Sequence, residues 1–254
     1  MRICRVSVDD ELHYGVIEGD AVALLTSHPF GPFEPEGRVF ALEDVRLVAP
    51  VLPSKVIAVG RNYLDHVKEM GGQAPPSEPM IFLKPSTAVI GPGEAIQLPW
   101  QSEQVEHEAE IAVVIGRMCR DVPEDRVDEV ILGYTCANDV TARDLQRTDG
   151  QWGRAKGFDS FCPLGPWIET DLDVEEAAVV CEVNGQVRQS SAGSEMVRSV
   201  PELVSWISSV MTLLPGDVIL TGTPAGVGPL VAGDDVSVTI GGIGTLTNVV
   251  VDRG

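Results

Sequence analysis

The 254-residue chain lacks the segments that mark several large classes of protein. It has no apolar run near the roughly 20 residues that a transmembrane helix needs, and its first residues lack the pattern of a secretory signal. We therefore expect a cytoplasmic protein with no membrane partner. The five cysteines form no C-x-x-C pair and are odd in number, which argues against a zinc finger and a disulfide framework.

Positive charge is also scarce. The chain carries 18 Lys and Arg residues against 38 Asp and Glu residues, a formal net charge of −20. This balance disfavours nucleic acid as a partner, because it would repel the phosphate backbone. A small anionic substrate remains compatible, since a bound cation can reverse the local field. The hydrophobic fraction of 44% is ordinary for a globular protein with a substantial core.

Helical patterns are few, and strand patterns dominate the chain. Strands are predicted at 55–60, 80–84, 105–115, 132–138, 217–221, 235–240 and 246–251. The pair Asn184-Gly185 predicts a type I′ hairpin. Helices are predicted in NYLDHVKEMGG (62–72), where Gly71-Gly72 ends the pattern, at 123–130 and from Ser199 onward. The absence of regular β-α alternation disfavours a doubly wound sheet, so we predict a mixed, mostly β architecture.

The first 54 residues differ in composition from the rest. Residues 1–25 read as short strands, whereas 26–54 are rich in proline and glycine and are predicted to have little regular structure. We therefore predict a boundary near residue 50. The predicted organisation is a small N-terminal β domain at 1–50 and a catalytic domain at 51–254.

The segment VEHEAEIAVVIG, residues 105–116, combines acidic and apolar residues on one strand. Side chains alternate across a strand, which puts three carboxylates on the same face: Glu106, Glu108 and Glu110. They repel one another, a cost that water screens but a half-buried strand does not. A solvated acidic edge strand explains the spacing. However, Ala112 and Val114 continue that face as apolar residues, so the carboxylates would lie at the margin of a core. Hard divalent cations such as Mg²⁺ or Mn²⁺ find oxygen ligands in such a place.

A further carboxylate follows the strand in GYTCANDVTARDLQ, residues 133–146. Asp139 either caps the next helix and pairs with Arg143, or serves as a metal ligand. Arg143 and Gln146 fall on one face of that helix. Lys156, in WGRAKGFDSFCPLGP, is an isolated lysine of the kind that usually lies at the surface.

Two other segments contain candidate catalytic groups. His66 and Glu69 are three residues apart and share a face of a helical turn, where the carboxylate can orient the imidazole as a base. An exposed ion pair has the same spacing. Thr223 lies in TGTPAGVG, which could be a tight turn or a cradle for an anion. It lacks the pattern of a nucleotide-binding P-loop.

Six segments, in this order along the chain, resemble the fumarylacetoacetate hydrolase family: KVIAVGRNYLDHVKEMG, EPMIFLKP, VEHEAEIAVVIG, GYTCANDVTARDLQ, KGFDSFCPLGPW and LLPGDVILTGTPAGVG. The resemblance covers about residues 55–254, and residues 1–50 look like the small domain that precedes this body in bacterial members. It implies an α+β, predominantly β fold. This fold is a mixed β-sandwich or β-roll with few short helices and a small N-terminal β domain.

The resemblance also implies roles for individual residues. The implied metal ligands, for Mg²⁺ or Mn²⁺, are Glu108, Glu110 and Asp139. The implied catalytic groups are His66, Glu69 and Lys156. The implied substrate-binding residues are Arg143, Gln146 and Thr223. Glu106 is implied to lie outside the metal site, and His107 is expected to pack on the opposite face of the strand.

The expected function is that of a metal-dependent enzyme acting on a small 2-oxo acid, such as an acylpyruvate, oxaloacetate or a related dienedioate. It would cleave a C–C bond through a stabilised enolate, with water activated by the His66–Glu69 dyad. An isomerase or tautomerase of 2-hydroxyhepta-2,4-diene-1,7-dioate type is one alternative. A non-catalytic metal- or ligand-binding protein on the same scaffold is another. The resemblance further implies a homodimer.

Overall fold

The computed structural model describes residues 1–253, and strands dominate it as predicted. In this range the strands are β1 (Arg2–Val8), β2 (Glu11–Glu18), β3 (Ala21–Leu25), β4 (Pro35–Ala41), β5 (Arg46–Leu47), β6 (Val56–Gly60), β7 (Met80–Lys84), β8 (Val89–Ile90), β9 (Ile96–Leu98), β10 (Val105–His107), β11 (Ala109–Ile115), β12 (Ile131–Asn138), β13 (Thr141–Ala142), β14 (Cys162–Glu169), β15 (Ala178–Val183), β16 (Gln186–Ala192), β17 (Val218–Leu220), β18 (Gly228–Pro229), β19 (Asp235–Ile240) and β20 (Gly244–Asp252). The α-helices of the same range are α1 (Leu64–Glu69), α2 (Arg143–Asp149), α3 (Gly153–Lys156) and α4 (Val200–Val210). Short 3₁₀ segments lie at Leu42–Asp44, Ser86–Ala88, Glu124–Glu129 and Gly193–Glu195.

The strands form three sheets. The largest has the order β4-β3-β2-β1-β14-β12-β11-β17-β6-β7, with β5 beside β1 and β8 beside β14. A five-stranded sheet has the order β16-β15-β19-β20-β9, and a small sheet has the order β13-β10-β18. Most neighbours are antiparallel, although β6 pairs with β17 in parallel. The predicted α+β, predominantly β class is therefore confirmed.

Strand β11 is apolar on both faces after Glu110, because both faces pack against other parts of the protein. On one side, Ile111 packs in a cluster with Val179 and Val238 of the five-stranded sheet. On the other face, Ala112 and Val114 pack in a cluster that includes Val51 and Ala88. A strand covered on both faces reads as a continuous apolar run. None of the helices within residues 1–253 has the length and apolar character that crossing a bilayer requires.

Local signals in the sequence placed several elements correctly. The Asn184-Gly185 turn joins β15 to β16 with φ values of 54° and 72°, the left-handed conformation that a type I′ hairpin requires. Helix α4 begins as predicted, because the Ser199 side chain accepts the backbone N–H of Glu202. The helix predicted at 123–130 is instead a 3₁₀ segment, Glu124–Glu129.

The N-terminal region is more regular than its composition indicated. The prediction of little regular structure over 26–54 is wrong, because β4 and β5 lie there. Strand β4 pairs with β3, and β5 pairs with β1, so neighbouring strands supply the order that the proline-rich sequence does not show. Strand β1 also pairs with β14, which joins this region to the large sheet. The domain boundary near residue 50 stays a prediction.

Candidate active site

The two chain segments that carry the predicted ligands are both interrupted where they face each other. Glu108 lies in the gap between β10 and β11, and Asp139 lies in the gap between β12 and β13. The backbone N–H of Asp139 donates to the carbonyl of Glu108 at 2.8 Å. The N–H of Glu108 donates in turn to Oδ1 of Asn138 at 2.9 Å. These two bonds take the place of regular strand-to-strand hydrogen bonds where the strands are interrupted. They hold Glu108 and Asp139 next to each other.

Three carboxylates converge there. One oxygen from each of Glu108, Glu110 and Asp139 lies within 4.8 Å of the other two, and all three residues are buried. Hard divalent cations such as Mg²⁺ and Mn²⁺ take oxygen ligands of this kind. The donor set therefore fits such a cation. The alternative of a solvated edge strand is wrong, because β11 lies inside the sheet between β12 and β17.

Two buried lysines contact the same carboxylates. Lys156 Nζ donates to Glu108 at 2.7 Å and to Asp139 at 2.6 Å. Lys84 Nζ donates to the other oxygen of Asp139 and to the carbonyl of Val140. Lys156 is therefore not a surface charge. Asp139 does not cap α2, which begins at Arg143 with Ala142 at its N-cap.

Lys84 was missed by the sequence reasoning. Its side chain is 1% exposed, although lysine is rarely buried without a partner. The available signal was its place at the end of an apolar strand in EPMIFLKP. That signal did not identify Asp139 as the partner, because 55 residues separate the two in the chain.

The charges of the cluster are unequally distributed. Burial opposes ionisation of Glu108, but the nearby Lys156 and Arg143 outweigh it and hold the pKa of Glu108 well below its usual range. Burial and the neighbouring Asp139 and Glu108 raise the pKa of Glu110 well above its usual range. Burial lowers and these carboxylates raise the pKa of Lys156, with a net upward shift. In the metal-free cluster these shifts favour the ionised form of Glu108 and the protonated form of Glu110.

Arg143 binds protein groups with its guanidinium. It donates to Glu106 at 2.7 Å, to Glu108, and to the amide oxygen of Gln146 at 2.6 Å. Glu106 thus lies outside the three-carboxylate cluster and neutralises the arginine. Because the oxygen of Gln146 is occupied, its amide NH₂ is the group left to meet a substrate.

His66 and Glu69 contact each other within α1, the short helix after β6. His66 Nδ1 lies 3.1 Å from Oε2 of Glu69, and the other carboxylate oxygen accepts the backbone N–H of Gly226 at 3.0 Å. His66 is 6% exposed, whereas Glu69 is exposed, so the pair is buried at the imidazole and open to solvent at the carboxylate. With Nδ1 committed to Glu69, Nε2 is the nitrogen available for proton transfer.

A cavity of about 270 Å³ brings these groups together. Its predicted lining residues are His66, Glu108, Glu110, Asp139, Arg143, Gln146, Lys156 and Thr223. Glu69 is not in its wall and reaches it through His66. Lining residues that the sequence reasoning missed are Val59, Gly60, Arg61, Met70, Phe82, Arg147 and Trp152. Phe82 packs edge-on against Trp152, which closes one side of the cavity with aromatic rings.

Thr223 lies in the wall, but its hydroxyl bonds to the protein. Thr223 Oγ1 donates to the carbonyl of Ala109 at 2.9 Å and accepts Nε2 of Gln189 at 2.7 Å. The hydroxyl proton is therefore directed away from the cavity. The family resemblance implied that the Thr223 hydroxyl and nearby backbone N–H groups bind a substrate carboxylate. Because the hydroxyl already bonds to Ala109 and Gln189, only the backbone donors are left for that role.

The fold and the cavity together define a mostly β protein with a buried carboxylate centre suited to a divalent cation. The family model described as "Fumarylacetoacetate (FAA) hydrolase C-terminal" matches residues 55–251, and "Rv2993c-like, N-terminal" matches residues 1–50. The chain belongs to the fumarylacetoacetate hydrolase family, whose members include hydrolases and isomerases.

Named relatives span more than one reaction. The crystal structure of 5-carboxymethyl-2-hydroxymuconate delta-isomerase from Mycobacterium smegmatis is 56% identical over the full length of both chains, with a TM-score of 0.94. The mitochondrial oxaloacetate tautomerase FAHD2A of Bos taurus is 42% identical over 84% of this chain and 72% of its own length. Maleylpyruvate hydrolase from Sphingobium sp. SYK-6, solved with manganese(II) and pyruvate, is 31% identical over both full chains, with a TM-score of 0.83.

Proposed function

We propose that this chain is a divalent-cation-dependent enzyme that moves a proton on the carbon next to the keto group of a small 2-oxo acid. The observation that carries the proposal is the convergence of Glu108, Glu110 and Asp139 in the cavity that also contains His66 and Lys156. Carboxylates suited to Mg²⁺ or Mn²⁺ beside an oriented imidazole match the needs of enolate chemistry.

The substrate meets three kinds of group in this cavity. The amide NH₂ of Gln146 and the backbone donors of the segment at Thr223 bind and orient its carboxylate. Lys156 Nζ, already charged, lies beside Glu108 and Asp139 and donates a hydrogen bond to the keto oxygen. Glu108, Glu110 and Asp139 would hold a divalent cation, which would supply further positive charge to stabilise the enolate.

His66 performs the proton transfer. Its Nε2 takes the proton from the carbon beside the keto group, and the electron pair of that C–H bond becomes the enolate double bond as charge moves to oxygen. Glu69 holds Nδ1 and stabilises the imidazolium that results. Return of the proton to oxygen gives the enol, and return to a different carbon of a dienoate gives an isomer.

We place tautomerisation or isomerisation first because the relatives at 56% and 42% identity carry those names, against 37% and 31% for two relatives named as hydrolases. C–C bond cleavage is the second candidate. The contact of His66 with Glu69 supports it, since the same base can activate water for attack on a distal carbonyl. Both reactions pass through one enolate, which explains why one cavity serves either. We also retain a homodimer as a proposal.

The test is an assay of oxaloacetate tautomerisation, followed by enol absorbance, beside pyruvate release from an acylpyruvate. Each is measured with Mg²⁺, with Mn²⁺ and after EDTA. The proposal predicts catalysis of at least one reaction, lost with EDTA and restored by either cation. Catalysis that EDTA leaves unchanged, or no turnover of any 2-oxo acid with either cation, would contradict it.

A further inference from the structure

Gln189 is a buried side chain that the reaction described above does not use. It lies on β16 and is 0% exposed. Its amide makes four hydrogen bonds. Nε2 donates to Thr223 Oγ1 at 2.7 Å and to the carbonyl of Pro224 at 2.8 Å. Oε1 accepts the N–H of Ala109 at 3.0 Å and lies 3.1 Å from His107 Nδ1.

The two residues on the oxygen side flank the ligand Glu108. His107 ends β10 and Ala109 begins β11, so Gln189 spans the gap in which Glu108 lies. Asn138 holds the N–H of Glu108 itself, and Gln189 holds the next N–H along the chain. A side-chain amide thus satisfies a backbone donor that the interrupted ladder leaves without a strand partner.

The two residues on the nitrogen side belong to the cavity wall. By donating to Thr223 Oγ1, the amide leaves the threonine proton to the carbonyl of Ala109. The chain of bonds therefore closes on itself from Gln189 to Thr223 to Ala109 and back to Gln189. His107, which lies 3.3 Å from Cys181 as well, limits rotation of the amide from the other side.

We propose that Gln189 is a positioning residue that couples the Glu108 segment to the Thr223–Pro224 wall of the cavity. The inference rests on the proposed metal site. Groups that orient the ligands of a metal typically change its affinity by about 10- to 100-fold when they are removed. Loss of the amide should therefore weaken the metal site and loosen the substrate wall together, although Gln189 touches neither metal nor substrate.

The test uses Gln189→Leu, which keeps the size of the side chain and removes all four bonds. Its matched control is Gln186→Leu, an exposed glutamine on the same strand. Titration with Mn²⁺ alone should show affinity reduced about 10-fold or more in Gln189→Leu and unchanged in Gln186→Leu. With Mn²⁺ saturating, Gln189→Leu should raise KM for the substrate by a larger factor than it lowers kcat.

Two substitutions of Thr223 test the same coupling and serve as the test if Gln189→Leu does not fold. Thr223→Val removes the hydroxyl that accepts the Gln189 amide, and Thr223→Ser keeps it. Thr223→Val should weaken Mn²⁺ binding, whereas Thr223→Ser should not. Where Gln189→Leu folds, combining it with Thr223→Val should give less than the sum of the two losses, since both act through one bond. Wild-type Mn²⁺ affinity in Gln189→Leu, or in Thr223→Val, overturns this inference alone. Failure of the wild-type protein to bind Mn²⁺ overturns the proposed function.

Discussion

The backbone N–H of Asp139 donates a 2.8 Å hydrogen bond to the carbonyl oxygen of Glu108. This bond joins the two chain segments at the point where both leave their strands. It brings together carboxylates that lie 31 positions apart in the numbering. The geometry of the candidate metal site is thus set by the backbone, and its charges are set by the lysines and the arginine packed around it.

Glu110→Gln should separate metal binding from folding. The neutral form of Glu110 is favoured in the metal-free cluster, because burial and the carboxylates of Asp139 and Glu108 raise its pKa. Glutamine imitates that neutral form and can still accept the N–H of Gly222, which bonds to Glu110 in the wild-type protein. Thermal melts after EDTA should give a melting temperature equal to or above that of the wild type.

Added Mn²⁺ should then stabilise the wild-type protein and leave Glu110→Gln unchanged. A cation that binds the folded state alone stabilises it by about 2.7 kcal/mol at a concentration 100 times its Kd. An equal rise in melting temperature for both proteins would remove Glu110 from the metal site.

Asp139→Asn should behave differently, because Asp139 balances two buried lysines. Removing one partner of a buried ion pair typically costs about 3–5 kcal/mol. Urea denaturation without metal should therefore show a clear loss of stability, in contrast to Glu110→Gln. Adding Lys84→Met to Asp139→Asn should recover part of that loss, since one uncompensated charge is removed. A stability of Asp139→Asn equal to the wild type would show that the ion pairs with Lys84 and Lys156 contribute little.

Metal binding should release a proton. The raised pKa of Glu110 favours the protonated form of this carboxyl group in the metal-free protein, and a ligand must be deprotonated to bind the cation. The affinity for Mn²⁺ should therefore rise as the pH rises and fall as it is lowered. Calorimetric titrations at one pH, in two buffers of different ionisation enthalpy, measure the protons released. Identical heats in the two buffers would mean that no proton leaves.

His66→Gln should lower kcat by about 10²- to 10⁴-fold, the usual range for a positioned acid or base. Glu69→Gln should lower it less, because Glu69 acts by orienting His66 through the 3.1 Å contact. The double variant should be no slower than His66→Gln, and each variant should bind Mn²⁺ as the wild type does. Losses that multiply in the double variant would show that Glu69 acts independently of His66.

Local sequence signals predicted most of the strands near the site. The strand over residues 55–60, the short helix after it and the hairpin at Asn184-Gly185 follow from composition and turn residues, and the structure contains all three. Alternation placed the three glutamates on a face away from His107, and Arg143 and Lys156 contact that acidic face. The metal ligands themselves came from a family resemblance, since spacing alone left the acidic edge strand open.

Other features depend on contacts between distant parts of the chain and could not be read locally. Lys84 meets Asp139 across 55 positions, and Gln189 meets Ala109 across 80. Strands β4 and β5 form in a proline-rich segment because β3 and β1 offer them free edges. The strand interruptions at Glu108 and Asp139 could not be predicted from the neighbouring sequence either. Side chains from other strands, Asn138 and Gln189, accept the backbone N–H groups of Glu108 and Ala109.

We propose that Glu108, Glu110 and Asp139 together hold one divalent cation. The most direct test is an anomalous difference map from a crystal of the protein grown with Mn²⁺. We expect one peak with carboxylate oxygens of all three residues at about 2.0–2.6 Å, the range for hard cations with oxygen ligands. A map with no peak among these residues, or with a peak that excludes Asp139, would contradict it.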